Sequence, residues 1–260
     1  MCYNVVSATR KNLQYARHRS EKPEVIEQII KHLDELHKTK RLEPFYRVQG
    51  FSHPRLMVFS NEKPEVPGAF RWGLIPSWTP DEQKAKEIAQ MTLNAKSETM
   101  FSKPAFRNSA RSKRCLIYLD AFFEHHHFSG KTYPVQVSMQ NEQVMIVGGL
   151  WDEWVDRSTG EIIRSVSVVT CKANRLMRCI HNNPRNPEAR MPVLLNRETQ
   201  EDWLNGDEQR IGELCAPFPE EALRWRTVRP ILGKHASPNT GQANESYAYP
   251  ELVPFPFEGN

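Results

Sequence analysis

The spacing of apolar residues changes several times along the chain, and each change marks an element. Val25, Ile26, Ile29, Ile30, Leu33 and Leu36 recur at three- and four-residue intervals, which places one apolar stripe on a helix. Pro23 suits the first turn of that helix, where an N–H has no partner to lose. Lys31, His32, Asp34 and Glu35 make its solvated face. Elsewhere the period is two, or the apolar run is continuous. Residues 3–10 read as a first strand, residues 44–60 as loop and strand, and residues 115–124 as one strand running into the core. Residues 133–137 alternate. Residues 144–151 form a buried strand, and a turn at 157–160 leads to another at 162–170. Gly148 and Gly149 inside a buried run point to a bulge or a close neighbour. Strands joined by short turns predict a β-rich core.

Helical segments separate these strands. Residues 81–91 read as a short helix, and residues 173–181 as another that ends at His181. Thr199 is expected to cap a helix through Trp203 that stops at Gly206, with a further short helix over 208–215. The proline-punctuated segment 64–80 reads as a tight turn, with Trp72 in the core and Trp78 on a loop beyond Pro76. The basic cluster at 110–114 reads as a solvated face. His125, His126 and His127 lead into a turn at Ser129-Gly130. No repeat or linker divides the chain. One domain is expected over residues 1–233, followed by an irregular tail over 234–260.

Composition narrows the class. No apolar run reaches the roughly 18 residues of a membrane span, and the first residues contain no apolar signal core. A cytoplasmic protein without a membrane partner is expected. Five cysteines without a C-x-x-C pair argue against a disulfide framework or a zinc ribbon. A net charge of +4 permits an anionic partner without demanding one.

Some residues carry chemistry. Cys2 follows Met1, and removal of that methionine would leave an α-amine and a thiol on adjacent carbons. Both groups titrate near neutrality, so both have nucleophilic character at cell pH. An aldehyde condenses with the amine to an imine, and the thiol closes a thiazolidine ring. The alternative is an incidental cysteine on a frayed terminus. Glu124 is either an exposed strand-end residue or a buried acid whose pKa is raised toward proton transfer. His181, at a helix C-terminus, suits a charged imidazole beside the dipole. Trp78 either belongs to the turn or stacks on a base. Adjacent histidines alternate faces on a strand, so at most two of residues 125–127 share a metal ion.

Taken in order, Met1-Cys2, W-G-L-I-P-S-W at 72–78, N-A-K-S-E-T at 94–99, R-C-L-I-Y-L-D at 114–120 with F-F-E at 122–124, and I-H…R-M-P-V-L-L within 180–195 resemble the SOS-response-associated peptidase (SRAP) family of abasic-site-processing proteins. The resemblance implies a single α+β domain with a β-rich, barrel-like mixed-sheet core, flanking helices and a basic groove for single-stranded DNA. It implies that Cys2, freed by autoproteolytic loss of Met1, forms a covalent thiazolidine with the ring-opened aldehyde of an abasic site and so protects the lesion. Asn94, Glu124 and His181 match the family's site residues. His181 is suited to help open the sugar, Glu124 to move a proton onto the departing hydroxyl, and Asn94 to hold the amine or a sugar oxygen. The resemblance extends to Trp78 as a base-stacking residue and to Lys96, Arg107 and Arg190 as phosphate contacts. The implied partner is single-stranded DNA containing abasic sites, bound by a monomer that needs no cofactor and no metal.

The chain departs from the family pattern in several places. Tyr3-Asn4 replace the usual Gly-Arg, Lys96 replaces an arginine and loses its bidentate fork, and residues 182–189 add length between His181 and Arg190. Two other classes compete. One is a non-covalent single-stranded nucleic-acid binder with an incidental Cys2. The other is a metal hydrolase built on His125, His127 and His181.

Overall fold

Runs of Val, Ile, Leu and aromatic residues become strands because branched and planar side chains fill a pleated, half-buried surface well. The computed structural model describes residues 3–7, 11–141, 143–185, 188–231 and 239–252. The strands are β1 (Asn4–Ser7), β2 (Phe45–Gln49), β3 (Arg55–Ser60), β4 (Lys63–Trp72), β5 (Asn94–Lys96), β6 (Arg114–Leu119), β7 (Ala121–Phe128), β8 (Lys131–Met139), β9 (Met145–Val155), β10 (Ile162–Lys172), β11 (Arg190–Pro192), β12 (Leu194–Leu195) and β13 (Leu223–Thr227). The helices are α1 (Asn12–Arg19), α2 (Pro23–Lys38), α3 (Glu82–Met91), α4 (Arg107–Ser112), α5 (Arg175–Ile180), α6 (Gln200–Asn205) and α7 (Glu208–Leu214).

Five strands close on themselves. β10 pairs with β4 in parallel, then β4 with β3, β3 with β6, β6 with β9, and β9 with β10, all antiparallel. Closure leaves these strands no free edge along the ring and wraps them around an apolar interior. Leu56, Val58, Leu116, Ile117, Val147, Val166 and Val168 are fully buried. β5 continues beside β10 where β4 leaves it: Trp72 lies opposite Val166, and Asn94 lies opposite Val168. A Cβ on Gly148 would stand 2.7 Å from the Trp203 ring, and one on Gly149 2.7 Å from Ile117. The glycine pair therefore marks close approach, as its place in the sequence indicated. The fold is the expected α+β domain with a barrel-like, mixed core.

A second sheet, ordered β13-β8-β7-β1-β2, lies beside the ring. Ser129 and Gly130 both take positive φ (46° and 74°) and join β7 to β8 as a two-residue hairpin. α2 packs its Val25–Ile29–Leu33 stripe inward, against β4 and the core. The segment after β13 returns to this sheet. Val228 bridges Ser246, Tyr249 Oη donates to the Val228 carbonyl at 2.8 Å, and Ala243 and Leu252 are buried. Residues 234–238 and 253–260 of the expected tail, residues 8–10 of the expected first strand, and residues 186–187 of the added loop lie outside the described residues. No helix among the described residues is long and apolar enough to cross a membrane.

Several expectations need correction. Residues 115–124 form two strands in different sheets, broken at Asp120. The Asp120 N–H donates to Val6 of β1 at 2.9 Å, and its carboxylate accepts from Tyr15 Oη at 2.8 and 3.0 Å. The prolines at 64 and 67 do not make a turn. They fall in the irregular stretch of the β3–β4 register, where the ladder asks no N–H of them. α1 and α4 had no clear periodic signal because they are short and their apolar faces are narrow. The basic cluster at 110–114 is not all solvated, since Arg114 is buried. Its guanidinium donates to the carbonyls of Ala110 (2.7 Å), Trp203 (2.7 Å) and Gly206 (2.6 Å), serving the C-terminal ends of α4 and α6 together. Thr199 stands at the start of α6, but its Oγ1 donates to Asn196 Oδ1 at 2.7 Å and caps no helix N–H.

Replacing Arg114 leaves several buried carbonyls without a donor, each costing about 1–3 kcal/mol. Arg114→Leu is expected to lower unfolding free energy by about 2–4 kcal/mol in urea titration. A loss below about 1 kcal/mol would show that water replaces the guanidinium at little cost.

Candidate functional site

The site grows from β7. Glu124 occupies the middle of this strand, opposite Val135 of β8, and is buried. The exposed strand-end alternative is thereby excluded. On the other side of β7, Asn4 of β1 pairs with Phe123, which brings the start of β1 to the level of Glu124. The Tyr3 carbonyl accepts the Gly50 N–H at 2.7 Å, and the Tyr3 and Phe51 rings pack with centroids 5.2 Å apart. Met1 and Cys2 lie outside the described residues.

α5 delivers the second member. Asn174 caps this helix by accepting the Met177 N–H at 2.8 Å, and His181 closes it, donating its own N–H to the Met177 carbonyl. Its imidazole is buried, and Nδ1 lies 3.3 Å from Glu124 Oε2. Three further contacts hold the end of α5 on β7. The His127 N–H donates to Asn182 Oδ1 at 2.7 Å, and Asn182 Nδ2 returns a bond to the His127 carbonyl at 2.9 Å. His126 Nδ1 lies 3.0 Å from the Cys179 carbonyl. The added residues after His181 therefore do not displace it, because Asn182, the first of them, fastens the chain to β7.

Burial alone would raise the Glu124 pKa. The hydrogen bond and charge of His181 are among the effects that work against it, and together these effects hold the carboxyl below its ordinary value. The expected upward shift is corrected: Glu124 is a carboxylate at neutral pH, able to accept a proton first and return it later. With Nδ1 donating to that carboxylate, Nε2 is the imidazole nitrogen left to meet a substrate oxygen.

The other expected residues occupy several elements of the fold. Asn94 begins β5, half-buried, where the Leu93 carbonyl accepts from the Val168 N–H and the Trp72 indole. Trp78 is 51% exposed on the loop after Pro76, and the Ser77 N–H fixes that loop to Asp152 Oδ2 at 2.9 Å. Arg107 is exposed at the start of α4. Lys96 is half in solvent but contacts the Glu188 carboxylate. Arg190 departs from the expected phosphate contact. Its side chain is 1% exposed, and its guanidinium meets Glu98 (2.6 Å), Glu188 (3.0 Å) and the Thr170 carbonyl (2.7 Å). A phosphate would have to displace two carboxylates from a buried cation, so Arg190 organises the β10–β11 edge instead.

The histidine tract divides as the strand period requires: His126 is buried, and His125 and His127 are half-buried. Among the described residues, no group of three His, Cys, Asp or Glu side chains is arranged to hold a metal ion. Two functional features escaped the sequence reading, Asn182 as a clamp and Glu188 as a partner for two cations. Asn182 offered only its position beside His181 as a signal. Glu188 lies in the added loop, where no motif reached it.

A closed strand ring, with a buried carboxylate–imidazole pair at the level of the N-terminal strand, defines the class of this α+β domain. The family model of the SOS response associated peptidase (SRAP) matches residues 7–235, and the chain belongs to that family. It is 33% identical over 225 residues to the abasic site processing protein YoqW of Bacillus subtilis (strain 168), covering 84% of this chain and 94% of that protein. It is 27% identical over 187 residues to the abasic site processing protein HMCES of Xenopus tropicalis, covering 64% and 53%. A crystal structure of a protein from Bacteroides thetaiotaomicron superposes with a TM-score of 0.80 at 29% identity, covering 95% of this chain and all of that one.

A carboxylate held below its ordinary pKa stabilises the fold above its unfolded value near 4.5, and that contribution is lost as pH falls through the lower folded value. The stability gap between wild type and Glu124→Gln should therefore be widest above about pH 5 and narrow steadily in acid. Urea unfolding from pH 3 to 6 measures it, and a gap that widens toward acid would reverse the assigned direction.

Proposed function

We propose that this protein captures abasic sites in single-stranded DNA through a thiazolidine at Cys2, formed after Met1 is removed. The observation that carries the reading is the buried Glu124–His181 contact at 3.3 Å, at the level where β1 begins. Membership of the SRAP family supports it, as do relatives named abasic site processing proteins.

The chemistry follows from the groups present. An abasic deoxyribose is mostly a closed hemiacetal. His181 Nε2 assists ring opening by moving a proton between the ring oxygen and the anomeric hydroxyl. The freed amine of Cys2 adds to the aldehyde carbon, forming a carbon–nitrogen bond and a carbinolamine. Glu124 takes a proton in that step and returns one to the hydroxyl, which leaves as water to give the imine. The thiol then adds to the same carbon and its proton passes to nitrogen, closing the ring. The sum is aldehyde plus aminothiol giving thiazolidine plus one water. Asn94 holds the amine or a sugar oxygen without changing charge. Trp78 offers an exposed π-face to a base beside the lesion, and Lys96 and Arg107 approach the backbone. Loss of Met1 itself is a peptidase-like step of the same site: the Cys2 thiol adds to the Met1 carbonyl, the Met1–Cys2 amide bond breaks as its nitrogen takes a proton to become the free amine, and water hydrolyses the thioester to release methionine and restore the thiol. The captured lesion is shielded within the DNA damage response.

Intact mass after reaction with an abasic oligonucleotide tests this directly. The expected adduct equals the protein without Met1, plus the oligonucleotide, less one water. Cys2→Ser should abolish it on denaturing electrophoresis. A serine variant that traps as well as wild type, or a mature chain that keeps its methionine, sinks the reading. Binding without any adduct would instead identify a non-covalent single-stranded DNA binder.

Lys96→Ala is expected to weaken capture and flatten the slope of log affinity against log salt by about 0.7, the value of one single-strand phosphate. An unchanged slope removes Lys96 from the DNA path.

A further inference from the structure

A second basic site lies outside the proposed capture chemistry. A cavity of about 780 Å³ opens between the residues that precede β2, the β3–β4 ladder, the start of α3 and the β9–β10 turn. Its floor is apolar, made by Ile75, Ala85 and Trp154, and two arginines stand on its wall. Arg55 and Arg71 are directly opposed across the antiparallel β3–β4 pair. Directly opposed like charges on a ladder repel, so this pairing costs stability unless something compensates. Two other cations of the lining are matched, Lys86 with Glu82 at 2.6 Å and Arg164 with Glu153 at 2.9 Å, while Lys40 and Arg41 at the same cavity add further positive charge. Among the described residues, neither Arg55 nor Arg71 has a carboxylate within ion-pair distance. Asp156 lines the same cavity but is held by the Ser158 N–H and hydroxyl at 2.8 and 2.7 Å. Arg71 is half-buried, and burial followed by the neighbouring Arg55 charge lowers its pKa, with Glu161 offsetting part of this. Two guanidinium forks side by side, Arg71 half-buried and Arg55 exposed, neither with a carboxylate at ion-pair distance, suit one ligand well: a phosphate, whose oxygens accept from both.

We propose that the Arg55–Arg71 pair binds a backbone phosphodiester of the DNA strand flanking the lesion. This rests on the function proposed above and extends its footprint. His53 gives the spatial link. It lines the cavity, its Nδ1 lies 2.7 Å from the Trp72 carbonyl, and it closes the short turn containing Gly50 and Phe51, which contact Tyr3 at the start of β1. A strand leaving the capture site over Phe51 thus meets the two arginines next. Neither residue belongs to the blocks by which the chain resembles its family, except that Arg71 immediately precedes one.

The test uses the full-length protein, Arg55→Gln and Arg71→Gln, and an undamaged single-stranded oligonucleotide, so it does not depend on Cys2. Fluorescence anisotropy across a salt series should give a slope less negative by about 0.7 for each variant, with a several-fold loss of affinity at moderate salt. Thermal unfolding should be unchanged or rise, because one of two repelling charges is gone. A slope and affinity equal to wild type overturn the proposal. So does a loss of affinity that comes with a lower Tm, which marks a structural role. A dinucleotide and inorganic phosphate form the other arm: raised Tm of wild type by these alone, with unchanged oligonucleotide slopes in the variants, identifies a free-phosphate pocket and overturns the DNA assignment. Covalent capture of abasic oligonucleotide by wild type, run alongside, separates failure of this site from failure of the proposed function.

Discussion

Closure of the β4-β3-β6-β9-β10 ring is the constraint on which the rest depends. Every backbone group along the closed ladder finds a partner only if β10 pairs with β4 in parallel and with β9 in antiparallel fashion. That requirement brings Gly148 and Gly149 against Trp203 and Ile117, where a side chain has no room. It also leaves β5 to continue the ladder beside β10 and sets the position of Asn94. The second sheet then depends on the break at Asp120, which sends the chain out of the ring and into β7. Glu124 reaches its site through that break.

Charge is handled differently in two parts of the molecule. Around Lys96 and Arg190, Glu98 and Glu188 neutralise the cations, and a buried guanidinium is tolerable because its donors are used. Burial raises the Glu98 pKa, but the hydrogen bond and charge of Arg190, with bonds to its own backbone and Ser97, together hold the carboxyl below its ordinary value. At Arg55 and Arg71 the opposite choice is made, and two cations stand side by side at the edge of a cavity. The first arrangement organises an edge. The second keeps charge available, which is the usual mark of a surface that meets an anion.

The site pair shows why burial and pKa must be weighed together. A carboxylate in apolar surroundings is expected to hold its proton, and the apolar run before Glu124 supports that expectation. Contact with His181 is the first of the effects that reverse the balance. The fastening of α5 to β7 by Asn182 and His126 gives this contact its permanence, and it protects the geometry from the longer loop that follows.

Much was legible in the chain itself. The α2 stripe, the β7–β8 hairpin, the buried glycine run and the helix ending at His181 all follow from local period and turn chemistry, which depend only on neighbouring residues. The ordered motif blocks singled out Glu124 and His181, which the structure brings to 3.3 Å of each other. Tertiary structure alone decided that residues 115–124 serve two sheets, that prolines 64 and 67 sit inside a strand, that Arg114 and Arg190 are interior cations, and that Glu188 answers Lys96. Each of these turns on contacts between residues far apart in sequence, and no local pattern encodes the charge or carbonyl that arrives from another part of the chain.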